Sequence, residues 1–200
     1  GINMLPQGIR SLIEYFKLLP GVGPKTAERY AFSLLKIPNA QLQNFGTAII
    51  NLKNSVTTCQ ICGLVSEKSP CRICSNSQRD QKIICVVADS ADVTAMEKTE
   101  EYNGVYHILD GLIDHLENIG PEQLRIKQLF ERVKTDQPTE VILALNATIE
   151  GETTNFYLSN NLKQFGITVT KLARGIPVGA DIEYTDSTTL SSALKNRTNT

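Results

Sequence analysis

At 200 residues, with 41% hydrophobic and 20% charged side chains, the chain can bury a sizeable core, and one or two domains are expected. It holds no apolar run long enough to span a membrane, and no stretch near its start reads as a secretory leader. A net charge of −1 argues, taken whole, against a nucleic-acid partner, but the charge is unevenly spread. Residues 1–58 carry six Lys/Arg against Glu14 and Glu28, a net of +4; residues 59–81 carry +1 and residues 82–200 carry −6. A basic first part joined to an acidic remainder suggests two partners of opposite character.

Gly1, Ile2 and Asn3 precede Met4, read as an expression scar, and are left out of fold reasoning. Ile9, Leu12, Ile13, Phe16 and Leu19 recur at helical spacing and predict an amphipathic helix over residues 8–18. Leu19-Pro20-Gly21-Val22-Gly23-Pro24 ends it, and Pro24 suits the first turn of a second helix carrying Ala27, Tyr30, Ala31 and Leu34 on one face. Gly21 and Gly23 let backbone N–H groups approach a ligand beside a helix N-terminus, whose dipole favours an anion. Lys25 and Arg29 lie about one helical turn apart and share a face that can straddle a phosphate. This is a helix-hairpin-helix pattern, and it predicts binding of the nucleic-acid backbone without base readout. The plain alternative is a tight turn between helices with a solvated basic face. Residues 39–56 predict a further helix.

Cys59-Gln60-Ile61-Cys62 and Cys71-Arg72-Ile73-Cys74 follow, two C-x-x-C pairs with eight residues between them. Four thiolates converging on one centre match the tetrahedral preference of Zn²⁺ and leave no position open for substrate. One structural zinc per chain, bound by Cys59, Cys62, Cys71 and Cys74, is therefore expected. The segment is too short and polar to fold on an apolar core of its own, so the metal would supply folding free energy on the order of 10 kcal/mol. Two disulfides, or a zinc-redox switch, are the competing readings. Cys85 lies in the run Ile83–Val87 and reads as a small buried hydrophobe.

Beyond it, apolar runs alternate with helical patterns. Strands are predicted at Lys82–Ala88, Val105–Leu109, Glu140–Leu145 and Thr168–Leu172. Helices are predicted from Val93, over Pro121–Lys134 and Thr153–Phe165, and at Leu190–Asn196. Such alternation gives a parallel sheet with crossover helices, where ligands gather at the carboxyl ends of the strands. Asp89 and Asp92 follow the first strand, Asp110 and Asp114 the second, Glu150 and Glu152 the third. These acids can be read as a Mg²⁺ site for phosphoryl chemistry, or as an acidic rim that is solvated or takes a basic protein.

A basic hairpin, a four-cysteine zinc site and an acidic α/β part, in that order, resemble the RecR family of bacterial recombination mediators over nearly the whole chain. Leu19–Arg29 (LPGVGPKTAER), the four cysteines, Ile84–Val87 with Ala95-Met96-Glu97, Tyr102–Leu109, Ile119–Glu122, Val141–Ala144, Glu150-Gly151-Glu152 and Gly175–Asp186 carry the resemblance. It implies a multidomain α/β protein. Residues 1–56 would form the helix-hairpin-helix part, 57–81 the zinc finger, 82–177 a parallel α/β Toprim domain and 178–200 a helical segment exchanged between subunits. It implies DNA contact through Gly21, Gly23, Lys25 and Arg29, and partner contact through Asp92, Glu150 and Glu152. It implies a homo-oligomer, dimer or tetrameric ring, that clamps DNA. That ring would act with RecO and RecF to load recombinase on gapped single strands, in the cytoplasm at the nucleoid. No enzymatic activity is implied, and no Walker A loop is present. Where catalytic Toprim enzymes place a Glu after the first strand stands Ala88, and Asp110 and Asp114 are four apart rather than Asp-x-Asp. The competing function is a metal-dependent Toprim nuclease or primase-like enzyme; a zinc-ribbon protein of transcription type is a third.

Overall fold

The structure, a computed structural model, describes residues 4–198. Gly1–Asn3 and the last two residues of the C-terminal segment lie outside that range. The chain divides into two compact units, Gly1–Ser55 and Val56–Thr200.

The first unit is helical: α1 (Gln7–Phe16), α2 (Pro24–Leu34) and α3 (Asn39–Ser55). Helix α2 buries Ala27 and Ala31 completely, and α1 buries Ile9. The small alanine side chains let the two helices approach closely, and Phe16 meets Tyr30 edge-on with ring centroids 5.7 Å apart. The turn between them is made by Gly21, whose φ of +75° is open to glycine at little cost. Helix α3 contrasts with the pair: it has no buried residue, and Phe45, Ile49, Ile50 and Leu52 are exposed along it.

The second unit opens with a two-stranded hairpin, β1 (Thr57–Thr58) and β2 (Val65–Ser66), paired antiparallel. Then come β3 (Asp80–Val87), α4 (Ser90–Glu97), β4 (Gly104–Ile108), α5 (Ile126–Asp136), β5 (Glu140–Leu143), α6 (Ile149–Leu162), β6 (Thr168–Lys171) and α7 (Ser187–Lys195). Strands β3–β6 form one parallel sheet in the order β4-β3-β5-β6. The central strand β3 buries Ile84, Cys85, Val86 and Val87 fully, as a strand covered on both faces must. Burial pushes the Cys85 thiol up to about 12, in keeping with an inert core residue. Helix α5 contributes Ile126, Leu129 and Val133 to the core, and α6 contributes Leu158 and Leu162.

Four helices begin elsewhere than their periodicity predicts: α4 starts at Ser90 rather than Val93 and α7 at Ser187 rather than Leu190, and α5 and α6 differ further. The helix expected from Pro121 is interrupted: Pro121–Gln123 form a 3₁₀ turn, Leu124 is extended, and α5 starts at Ile126. The end of β4 causes the break. Arg125 N–H donates to the Leu109 carbonyl at 2.9 Å, and the His107 ring nitrogen Nε2 donates to the Arg125 carbonyl at 2.8 Å. With its N–H taken by the strand end, Arg125 serves as the N-cap: its carbonyl also accepts the first α5 bond, from Leu129 N–H at 3.2 Å. Helix α6 starts at Ile149 rather than Thr153, because the Thr148 hydroxyl accepts from Gly151 N–H at 3.1 Å and caps it. Gly151 lies against the Asn146 carbonyl so closely that any Cβ there would collide with it.

His107 is fully buried, and burial pulls its imidazole down to about 4. The bond to Arg125 is made by the neutral ring. A folded-state value below the unfolded one, about 6.5, means that the unfolded chain takes up the proton first as pH falls. The contribution is fully present above about pH 6.5 and is lost between there and 4. From pH 7 to pH 5 it should cost about 2 kcal/mol. His107→Gln should remove most of that slope in urea unfolding at zinc-saturating conditions; equal slopes in both proteins would contradict it.

Candidate functional sites

The four sulfurs of Cys59, Cys62, Cys71 and Cys74 lie within 4.8 Å of one another, and all four cysteines are free. Cys62 and Cys71 Sγ are 3.7 Å apart. A disulfide needs about 2.05 Å, whereas four sulfurs each about 2.3 Å from one tetrahedral zinc stand about 3.8 Å apart. The competing disulfide reading thus fails on geometry, and one structural Zn²⁺ fits. Backbone amides point at the sulfurs: Leu64 N–H at 3.5 Å from Cys62 Sγ, Cys71 N–H at 3.4 Å from Cys59 Sγ and Cys74 N–H at 3.4 Å from Cys71 Sγ. Such donors favour thiolates. The Cys74 thiol, followed by the Leu64 amide and the other thiols, holds Cys62 down at about 5, while burial raises Cys71 and the bond to Cys62 raises Cys74.

This knuckle is part of the sheet's core rather than an appendage. Cys59, Cys62 and Cys71 are buried in the same apolar cluster as Ile84, Val105 and Ile108. The Ile108 N–H donates to the Cys62 carbonyl at 2.7 Å. Gly63, at φ +85°, has no room for a Cβ, which would meet the Arg125 side chain and the Ile108 carbonyl oxygen. A second tie is an ion pair that the sequence reading did not single out. Arg79 pairs with Glu97 and also donates to the Tyr102 and Gly104 carbonyls, and the Tyr106 hydroxyl donates to Glu97 at 2.7 Å.

At the hairpin, α2 begins without a side-chain cap and with no acid in its first turn; its N-cap is Gly23 and Pro24 stands at N1. The orphan amides of that turn are left for an outside acceptor. A Cβ at Gly21 or Gly23 would meet nothing within 4 Å, so the turn's surface is open. Lys25 and Arg29 are exposed, and neither takes part in an ion pair among the described residues. The Arg29 guanidinium rests 5.7 Å from the Tyr30 ring centroid.

The acids at the strand ends are largely spoken for. Asp89 caps α4, accepting from Ala91 and Asp92 N–H, while the Asp92 carboxylate accepts from Ala88 and Asp89 N–H at 3.2 and 3.1 Å. This is a reciprocal capping box, readable as Asp89-x-x-Asp92 ahead of a helix. Asp114 accepts from Leu116 and Glu117 N–H. Glu152 lies in the first turn of α6, not in a loop, and pairs with Arg174 and Asn155. Burial pushes its carboxyl up, but Arg174 outweighs this and leaves it below the usual range. Glu150, half-buried in the same turn, joins no ion pair among the described residues. Among the described residues the four cysteines are the group whose ligand atoms converge; the carboxylates do not form another.

Zinc binding worth on the order of 10 kcal/mol equals the whole stability of an ordinary domain. One zinc per chain by metal analysis is expected, and chelation should abolish the cooperative unfolding of residues 56–200. Cys59→Ser should cut soluble yield before it touches ligand binding. A metal-free chain of undiminished melting temperature would overturn this.

Comparison with known proteins follows the same divisions. The chain matches the RecR helix-hairpin-helix over residues 9–53, the RecR four-cysteine zinc finger domain over 56–76, the Toprim domain over 82–173 and the RecR C-terminal segment over 175–198. Proteins named Recombination protein RecR from Staphylococcus aureus strains JH9, N315 and Newman are each 48% identical to it over 193 residues, covering 96% of this chain and 98% of theirs. A zinc knuckle built into a parallel sheet, a helical hairpin ahead of it and this end-to-end similarity place the chain in the RecR family.

Proposed function

We propose that the protein is a non-enzymatic DNA-binding clamp and adaptor in recombinational DNA repair. The observation that carries this is the uncapped N-terminus of α2, with Gly21 and Gly23 leaving its amides accessible and Lys25 and Arg29 exposed on one face. Amides and cations so placed take phosphate oxygens and no base edges, so binding is independent of sequence. The relatives' name, Recombination protein, supports the setting.

One hairpin offers few phosphate contacts and holds DNA weakly at physiological salt. Several hairpins on one ring multiply the contacts through effective concentration. The exposed apolar residues of α3, and Val178, Ile182, Tyr184 and Leu194 near the C-terminus, support assembly with further copies of the chain. Two different two-fold interfaces close a tetrameric ring.

The acidic second unit suits a basic protein better than DNA. RecO is the partner proposed for it, through Glu150 in particular, with RecF completing the set that loads recombinase on gapped single strands. Asp92 and Glu152 act on that surface indirectly, by fixing the first turns of α4 and α6. The engagement of these acids in caps and ion pairs favours the adaptor over a Toprim nuclease or primase. No helix among the described residues is long and apolar enough to cross a membrane; the proposed location is the cytoplasm, at the nucleoid.

Lys25→Glu with Arg29→Glu should lower affinity for duplex DNA by a factor on the order of ten to a hundred at 0.1 M salt. It should reduce the slope of log K against log salt by about two per hairpin engaged. Zinc content and helicity should not change, because both side chains are exposed. Unchanged affinity would move the DNA site elsewhere. Deleting residues 187–200 should lower both the oligomeric state seen by light scattering and DNA affinity; a monomer that still binds tightly would refute the ring.

A further inference from the structure

A cleft of about 580 Å³ opens between the zinc knuckle and α4, inside the second unit. Its volume falls within the span of about 300–1,000 Å³ typical of small-ligand sites. One wall is a single helix face: Ser90, Val93, Thr94, Glu97 and Lys98 stand at spacings of three and four residues. The other wall is the zinc segment from β2 to Ile73, held in shape by the metal. Val93 and Ile73, both buried, give the cleft an aliphatic floor, with half-buried Leu64 beside them.

The charge around this floor is lopsided. Lys68 and Arg72 project from the zinc wall and Lys98 from the helix end; all three are exposed. None joins an ion pair among the described residues. Of the two acids on the lining, Glu97 is committed to Arg79 and Tyr106, which leaves Glu67. Ser90 Oγ accepts from Val65 N–H at 3.2 Å, so its own proton is free to be donated into the cleft. Neither the DNA-contacting hairpin nor the acidic rim uses any of these residues.

We propose that this cleft binds a nucleoside phosphate. The aliphatic floor takes the flat face of the base, and Lys68, Arg72 and Lys98 take the phosphate oxygens. Glu67 accepts from a sugar hydroxyl or an exocyclic amine. The same chemistry comes from two sources, a free nucleotide or the phosphorylated end of a DNA strand. The proposal stands apart from the hairpin reading, since α2 lies in the other compact unit.

The test is calorimetric titration of the zinc-loaded full chain with ADP. One ADP per chain should bind. Lys68→Glu with Lys98→Glu should weaken it at least about tenfold, with zinc content and circular dichroism unchanged. Thr94→Trp, which fills the cleft from an exposed position, should do the same, and Lys25→Glu with Arg29→Glu should leave binding intact. The second arm uses a short single strand with and without a 5′-phosphate, in the Lys25→Glu, Arg29→Glu background. Phosphate-dependent binding that the Lys68, Lys98 changes abolish identifies the strand end as the source. Binding of neither probe, or binding equally strong in the cleft variants, overturns the proposal.

Discussion

The hydrogen bond from Ile108 N–H to the Cys62 carbonyl joins the metal centre to the sheet, and much of the second unit follows from it. A zinc loop of this length has little apolar surface to bury. Here its cysteines sit in the sheet's own core, and Gly63 admits Ile108 and Arg125 at a distance no side chain would permit. The sheet is small, four strands, with β4 buried along its whole length and β3 buried over Ile84–Val87. It gains from the metal a wall that does not fray. The Arg79–Glu97 pair closes the same junction from the other side, tying the chain after the knuckle to α4. Because the pair is half-buried, losing either partner would leave the other charge only partly compensated by solvent.

The first unit follows a different principle. It keeps its polar termini and much of its apolar surface unspent. Helix α3 is seventeen residues long and buries none of them, and the start of α2 has no cap. Both features suit the assembly proposed above: apolar faces for neighbouring copies, and backbone donors with cations for phosphate.

Much of this was legible in the sequence because it rests on local chemistry. Two closely spaced C-x-x-C pairs supply the four-thiolate donor set of a tetrahedral zinc site, and Pro-Gly-Val-Gly-Pro fixes the turn and the second helix start. The alternation of strands and helices located all four strands of the parallel sheet. What was not legible depends on groups that meet only after folding. Helix α5 starts later than its periodicity predicts because His107 and Leu109 bond to Arg125 from eighteen and sixteen residues away. Glu152 reads as a free strand-end acid, yet Arg174 takes it; Asp92 reads likewise, although Asp89-x-x-Asp92 ahead of a helix is the local motif of its cap. The cleft joins residues 64–73 to 90–98, and no spacing rule announces it.

If the metal centre and the sheet are one cooperative structure, hydrogen exchange with and without zinc should show it most directly. Removing the ion should raise exchange by the amides of β3 and β4, Ile84–Val87 and Val105–Ile108, together with those of Cys59–Cys74, while α1 and α2 keep their protection. Faster exchange confined to Cys59–Cys74, with the two strands still protected, would contradict the account.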